Sequence, residues 1–121
     1  EKRQDQVIVL KEKNGVKTLP IVIGLLEASS IKMKLSGIQA PRPLTHDLLY
    51  SVIESLKVKV EKIVIDKLEN NTFYAKMFIA SENQETKIID ARPSDSIALA
   101  VRAKAPIFVE EEVLEQSAKY K

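Results

Sequence analysis

The sequence predicts an α+β fold, a single domain over residues 1–121 in which a mainly antiparallel sheet packs against three main helices. Three observations carry that expectation. A hairpin signal stands near the N-terminus, two helical spacings precede a meander of strands, and a late, nearly all-apolar helix is flanked by prolines.

In chain order, Gln6 to Lys11 is apolar and β-branched, and Asn14-Gly15 is a strong hairpin turn before the next apolar run, Thr18 to Ile23. From Glu27 the spacing turns helical, with Ala28, Ile31 and Leu35 on one face and Gly37 placed to end the helix. Ala40-Pro41-Arg42-Pro43 must be extended, because residues before proline avoid the α region. Thr45 then stands at the N-cap of a second helix. Leu48, Leu49, Val52, Ile53 and Leu56 predict a wide buried stripe on it. Val58 to Leu68 reads as a strand whose alternation changes phase near Glu61-Lys62, the mark of a bulge. Asn70-Asn71 turns the chain into Thr72 to Ala80, with Phe73, Ala75, Met77 and Ile79 on one face. Beyond the polar turn Ser81 to Gln84, Thr86 to Asp90 completes the meander. Asp95 to Ala103 is a helix buried on most sides, Pro106 ends it, Ile107 to Val109 is a short strand, and Glu110 to Gln116 an acidic helical turn.

Composition narrows the chemistry. With no cysteine the sequence holds no disulfide, thiolate nucleophile or cysteine-based zinc site, and one histidine excludes a His-rich metal cage. A net charge of +2 is too small to make nucleic acid a partner by bulk electrostatics, so any phosphate site has to be local. The longest apolar run, Leu19 to Leu26, falls well short of the roughly 20 residues that span a bilayer. No membrane association is expected, and a cytoplasmic location is. Residue 1 is Glu, so the natural chain is expected to start upstream.

One local pattern occurs twice. Arg42-Pro43-Leu44-Thr45-His46-Asp47 and Arg92-Pro93-Ser94-Asp95 each place an arginine, a proline, a hydroxyl and a carboxylate where a helix begins. A helix N-terminus offers free N–H groups and about half a positive charge, and an adjacent guanidinium adds a planar fork matched to phosphate oxygens. Arg42, Thr45, Arg92 and Ser94 are therefore candidate phosphate-binding residues. The plainer reading is that Thr45, Ser94, Asp47 and Asp95 cap their helices, which needs no arginine. Asp90 ends a strand and Asp95 begins a helix, and if the loop between them turns both carboxylates to one point they would suit Mg²⁺ or Mn²⁺. His46 is the side chain able to act as a base near neutral pH or to ligate that metal. The candidate catalytic set is His46, Asp47 and Asp95. Glu27 fits its helix start by the dipole alone. Phe73, Tyr74 and Phe78 read either as core or as a base-stacking face.

The segments Leu19-Pro20-Ile21-Val22-Ile23-Gly24, Pro41 to Leu49, Phe73-Tyr74-Ala75 and Ile89 to Ala100, with the closing Ala105 to Val109 and Glu112-Val113-Leu114, resemble the bifunctional nuclease domain family. The resemblance runs from about Val7 to Leu114. It implies an α+β domain, often a homodimer, that cleaves RNA and DNA, and the positions matching the family's two motifs are Arg42, Thr45, His46 and Asp47, then Asp90, Arg92, Ser94 and Asp95. The expected function is metal-assisted phosphodiester hydrolysis. The competing expectation is a non-catalytic dimeric module that holds a phosphate-bearing ligand or a protein partner at the same helix starts.

Overall fold

A computed structural model describes residues 5–83 and 85–118. The elements run β1 (Gln6–Lys11), β2 (Thr18–Ile23), α1 (Leu25–Leu35), α2 (Thr45–Ser55), β3 (Lys59–Glu69), β4 (Thr72–Ala80), β5 (Thr86–Ala91), α3 (Pro93–Ala103), β6 (Ile107–Val109) and α4 (Glu111–Ala118). The fold is α+β. β1 and β2 form a two-stranded antiparallel sheet, and the other strands form a four-stranded sheet in the order β5-β4-β3-β6, with β6 parallel to β3 and the remaining pairs antiparallel.

The local chemistry explains the boundaries. In the β1–β2 hairpin Gln6 pairs with Ile23 and Lys11 with Thr18, so the Asn14-Gly15 turn and the apolar alternation agree on register. The β3–β4 register shifts between Val60 and Lys62, where the phase change predicted a bulge, and again between Ile65 and Lys67. Asn70 and Asn71 both have positive φ, the geometry of a tight turn that asparagine tolerates. Of the expected Ser81 to Gln84 turn, Gln84 lies outside the described residues. Gly37, at φ +72°, ends α1 with the bonds Gly37 N–H to Lys34 O and Ile38 N–H to Met33 O, a Schellman closure that needs the left-handed conformation.

The core gathers Leu19, Ile21 and Ile23 of β2, Ile31, Ile53, Val60, Ile63, Ile65, Ala75, Met77, Val113 and the Ile97–Ala100 run of α3. α3 is buried on most sides, as its composition predicts. Three local expectations are corrected. Thr45 is the first residue of α2 and not its N-cap, because Leu44 takes that position. Leu35 is exposed, since α1 turns Ser30 and Ile31 inward. The α2 stripe is not buried as a whole: only Ile53 reaches the core, and Leu48, Leu49, Val52 and Leu56 face outward. α3 and α4 already cover the inner face of the four-stranded sheet, and α2 leans chiefly on α3. No helix among the described residues is long and apolar enough to cross a membrane.

Candidate functional site

Helical spacing puts the relevant groups on facing surfaces. Glu27 and Ser30 lie one turn apart on α1, His46 and Asp47 open α2, and Asp95 and Arg102 stand seven residues apart, two turns along one face of α3. Where the three helices meet, these side chains form one continuous chain of hydrogen bonds.

The chain begins at Arg102, whose side chain is 3% exposed. Its Nε donates to Asp47 Oδ1 at 2.7 Å, its Nη1 to Ala98 O at 2.9 Å and its Nη2 to Ser30 Oγ at 3.1 Å. Ser30 Oγ lies 2.8 Å from His46 Nδ1, and His46 Nε2 lies 2.9 Å from Asp95 Oδ1. Arg92 closes the chain, with Nε donating to Asp95 Oδ2 at 3.0 Å and Nη2 to Glu27 Oε2 at 3.2 Å. Gly24, the N-cap of α1, lies against the Glu27 carboxylate at this end. One proton arrangement satisfies every group: His46 Nε2–H donates to Asp95, the Ser30 hydroxyl donates to Nδ1, and Ser30 Oγ accepts from Arg102.

Charge follows the same geometry. The Asp47 carboxyl is held below the usual carboxylate range, first by the Leu44 backbone N–H at 2.9 Å and then by Arg102. Burial pushes the Asp95 carboxyl up, but the hydrogen bonds from His46 and Arg92 and the Arg92 charge outweigh it and leave it below that range. Arg92 is the solvent-facing end of the chain, 66% exposed, and its Nη1 makes no hydrogen bond with a described residue.

Of the residues singled out in the sequence, His46, Asp47, Asp95 and Arg92 are brought together. Arg42 and Thr45 are exposed and stand outside the chain of bonds. Ser94, the second residue of α3, is buried and makes no capping bond. Asp90 pairs instead with Lys76 at 3.3 Å on the sheet. Among the described residues no group of three or more His, Asp or Glu side chains is arranged to hold a metal ion. Arg92 already lies between the Glu27 and Asp95 carboxylates, so the donor set does not fit a resident metal. Phe73 lines the inner sheet face with Ala75 and Met77, whereas Tyr74 and Phe78 lie on the outer face under Lys67 and Lys62. Ser30, Arg102 and the engagement of Glu27 were missed. A lone arginine inside the Ile97–Ala103 apolar run was the available signal, since a buried guanidinium must find acceptors.

Comparison with known proteins gives one family. The sequence model of the bifunctional nuclease domain matches residues 8–121. An uncharacterized protein of Mycobacterium tuberculosis is 43% identical over 118 residues, which is 97% of this chain and 70% of that protein. Bifunctional nuclease 1 of Oryza sativa subsp. japonica is 32% identical over 107 residues, covering 84% of this chain and 32% of the rice protein. Bifunctional nuclease 1 of Arabidopsis thaliana is 27% identical over 105 residues with the same coverage. The chain thus spans about a third of the length of these plant relatives.

Both depressed carboxyls add stability above the unfolded carboxylate value, near 4, and lose that contribution as pH falls through their lower folded values. Urea midpoints measured from pH 7 down to about pH 2 are expected to fall below about pH 4. Asp47→Asn should be less stable at pH 7 and show a shallower acid loss. An acid loss as steep as that of the wild type would remove Asp47 from the cause.

Proposed function

Because the chain belongs to the bifunctional nuclease domain family, we propose that it hydrolyses phosphodiester bonds of RNA, DNA or both at the Arg92 end of the network. The observation that supports this reading is the chain Glu27–Arg92–Asp95–His46, which joins an exposed guanidinium to an aligned carboxylate and imidazole at the start of α3. A substrate phosphate binds the outward edge of Arg92 and the free N–H groups of the first turn of α3. That capture loosens the hold of Arg92 on Asp95 and removes one of the interactions that depress its carboxyl. Asp95, still oriented by His46, then takes the proton of a water that attacks phosphorus; the bond from phosphorus to the leaving ester oxygen breaks, and the proton passes on to that oxygen, which restores the Asp95 carboxylate. Both ring nitrogens of His46 are engaged, so its role is to orient Asp95 by the Nε2–H hydrogen bond. Mg²⁺ or Mn²⁺ would come with the substrate rather than be held by these side chains, and would offset phosphate charge.

The same full engagement of His46 and Asp95 favours a second reading, a binding module that holds a phosphate-bearing ligand without turnover. The two part on cleavage. Labelled single-stranded RNA and DNA are incubated with wild type, Arg92→Ala and Asp95→Asn, each with Mn²⁺, with Mg²⁺ and with EDTA. Both folded variants should lose about 10²-fold or more in rate. Equal cleavage by all three proteins would dismiss this site, saturable binding without cleavage would leave the module, and loss in EDTA alone would add the ion to the reaction.

The proposed assembly is a cytoplasmic homodimer in which a second copy covers Leu48, Leu49, Val52 and Leu56 of α2. Leu56, 69% exposed, serves as the probe. Sedimentation should give a dimer for wild type and a monomer for Leu56→Asp. A wild-type monomer at high concentration would contradict this assembly.

A further inference from the structure

At Arg92 the start of α3 opens onto a cavity of about 390 Å³. Its walls are Asp5, which precedes β1, the stretch Pro20–Gly24 at the end of β2, the residues Asn71–Phe73 at the β3–β4 turn, and Arg92, Pro93 and Ser94. The volume lies at the lower end of the ~300–1,000 Å³ typical of small-molecule pockets. It suits one small polar molecule with an apolar body.

The lining is of two kinds. At one end stand the Arg92 guanidinium and the first turn of α3, whose Ser94 and Asp95 N–H groups precede the first helical bond, Ser96 N–H to Arg92 O. Ser94 belongs to this end: it is 6% exposed, lines the cavity, and its hydroxyl makes no hydrogen bond with a described residue. A hydroxyl in that position awaits an acceptor oxygen. Among the described residues the rest of the lining carries no cation, and Asp5 adds a carboxylate suited to a sugar hydroxyl. Side chains of a strand alternate between its faces, so consecutive residues from Pro20 to Ile23 can line one cavity only along the strand's edge. Among the described residues β2 pairs with β1 alone, and backbone groups of its other edge are outside any ladder and open to a planar heterocycle. Phe73 supplies an apolar wall, and Asn71 and Thr72 supply amide and hydroxyl groups opposite the strand.

We propose that this cavity is a mononucleotide pocket, with the phosphate at Arg92, Ser94 and the α3 N-terminus and the nucleoside between the β2 edge and the β3–β4 turn. The proposal rests on the phosphate site described above and adds a substrate class. A base inside a duplex cannot enter such a slot without leaving its stack, so the protein takes unpaired nucleotides, in a single strand or at a frayed end.

The test is chemical-shift mapping with adenosine 5′-monophosphate, uridine 5′-monophosphate and inorganic phosphate on wild type, Thr72→Trp, Asn71→Gly and Arg92→Ala. Thr72→Trp fills the pocket from an exposed position, and Asn71→Gly removes the amide while keeping the positive φ. At least one nucleotide should bind about tenfold or more tightly than phosphate. Its shifts should centre on Pro20–Gly24 and Asn71–Phe73, and either pocket variant should narrow the difference while phosphate affinity stays. Equal affinity for phosphate and both nucleotides, or a nucleotide preference untouched by both pocket variants, would overturn the pocket and leave the phosphate site standing. Binding of all three ligands unaffected by Arg92→Ala, or no binding of any, would overturn both.

Discussion

The arrangement depends on one buried guanidinium. A guanidinium carries five N–H donors and no acceptor, and the Arg102 side chain is almost wholly enclosed, so the fold has to bring acceptors to it. It draws them from three helices: Asp47 from α2, Ser30 from α1 and the Ala98 carbonyl from its own α3. That requirement sets how the three helices meet. Ser30, held by Arg102, presents its hydroxyl to His46, His46 is thereby turned toward Asp95, and Asp95 aligns Arg92 at the surface. A charge that does no chemistry itself positions the groups that would.

This division explains why the site pairs a rigid interior with one exposed cation. The first turns of α1 and α3 each bring a carboxylate, Glu27 and Asp95, to the same arginine, and the two hold Arg92 by Nε and Nη2 while Nη1 makes no hydrogen bond with a described residue. A phosphate arriving there competes with carboxylates for a guanidinium, and any gain it makes is felt at Asp95. Binding and activation are thus coupled through a single side chain. Family membership supplies the nuclease reading, and the geometry supplies a specific way to carry it out.

Much of the fold was legible because it is local. The β1–β2 hairpin follows from Asn14-Gly15 and flanking alternation, the β3 bulge from a visible change of phase, and the end of α1 from Gly37 in a left-handed conformation. Half of the site was legible for the same reason: residues that begin helices announce themselves, and His46, Asp47, Arg92 and Asp95 all do. What failed to show is pairing between elements. Periodicity says which residues share a face but not what packs on it, so the α2 leucines looked buried although no described element covers them. Nor does spacing reveal that Asp90 meets Lys76 across the β4–β5 ladder while Arg42 stands apart from its counterpart Arg92. Ser30 and Arg102, 72 residues apart, meet only because α1 packs on α3.

His46 is the sole histidine, so its ring signals are free of overlap. Long-range proton–nitrogen correlation of that ring, taken well above the ordinary imidazole range, reads both nitrogens at once. The network predicts a protonated Nε2 whose slowly exchanging proton is shifted downfield by Asp95, and an unprotonated Nδ1 that changes its shift in Ser30→Ala. Two averaged nitrogens, as in a free imidazole, unaffected by Ser30→Ala or Asp95→Asn, would contradict the network and with it the site.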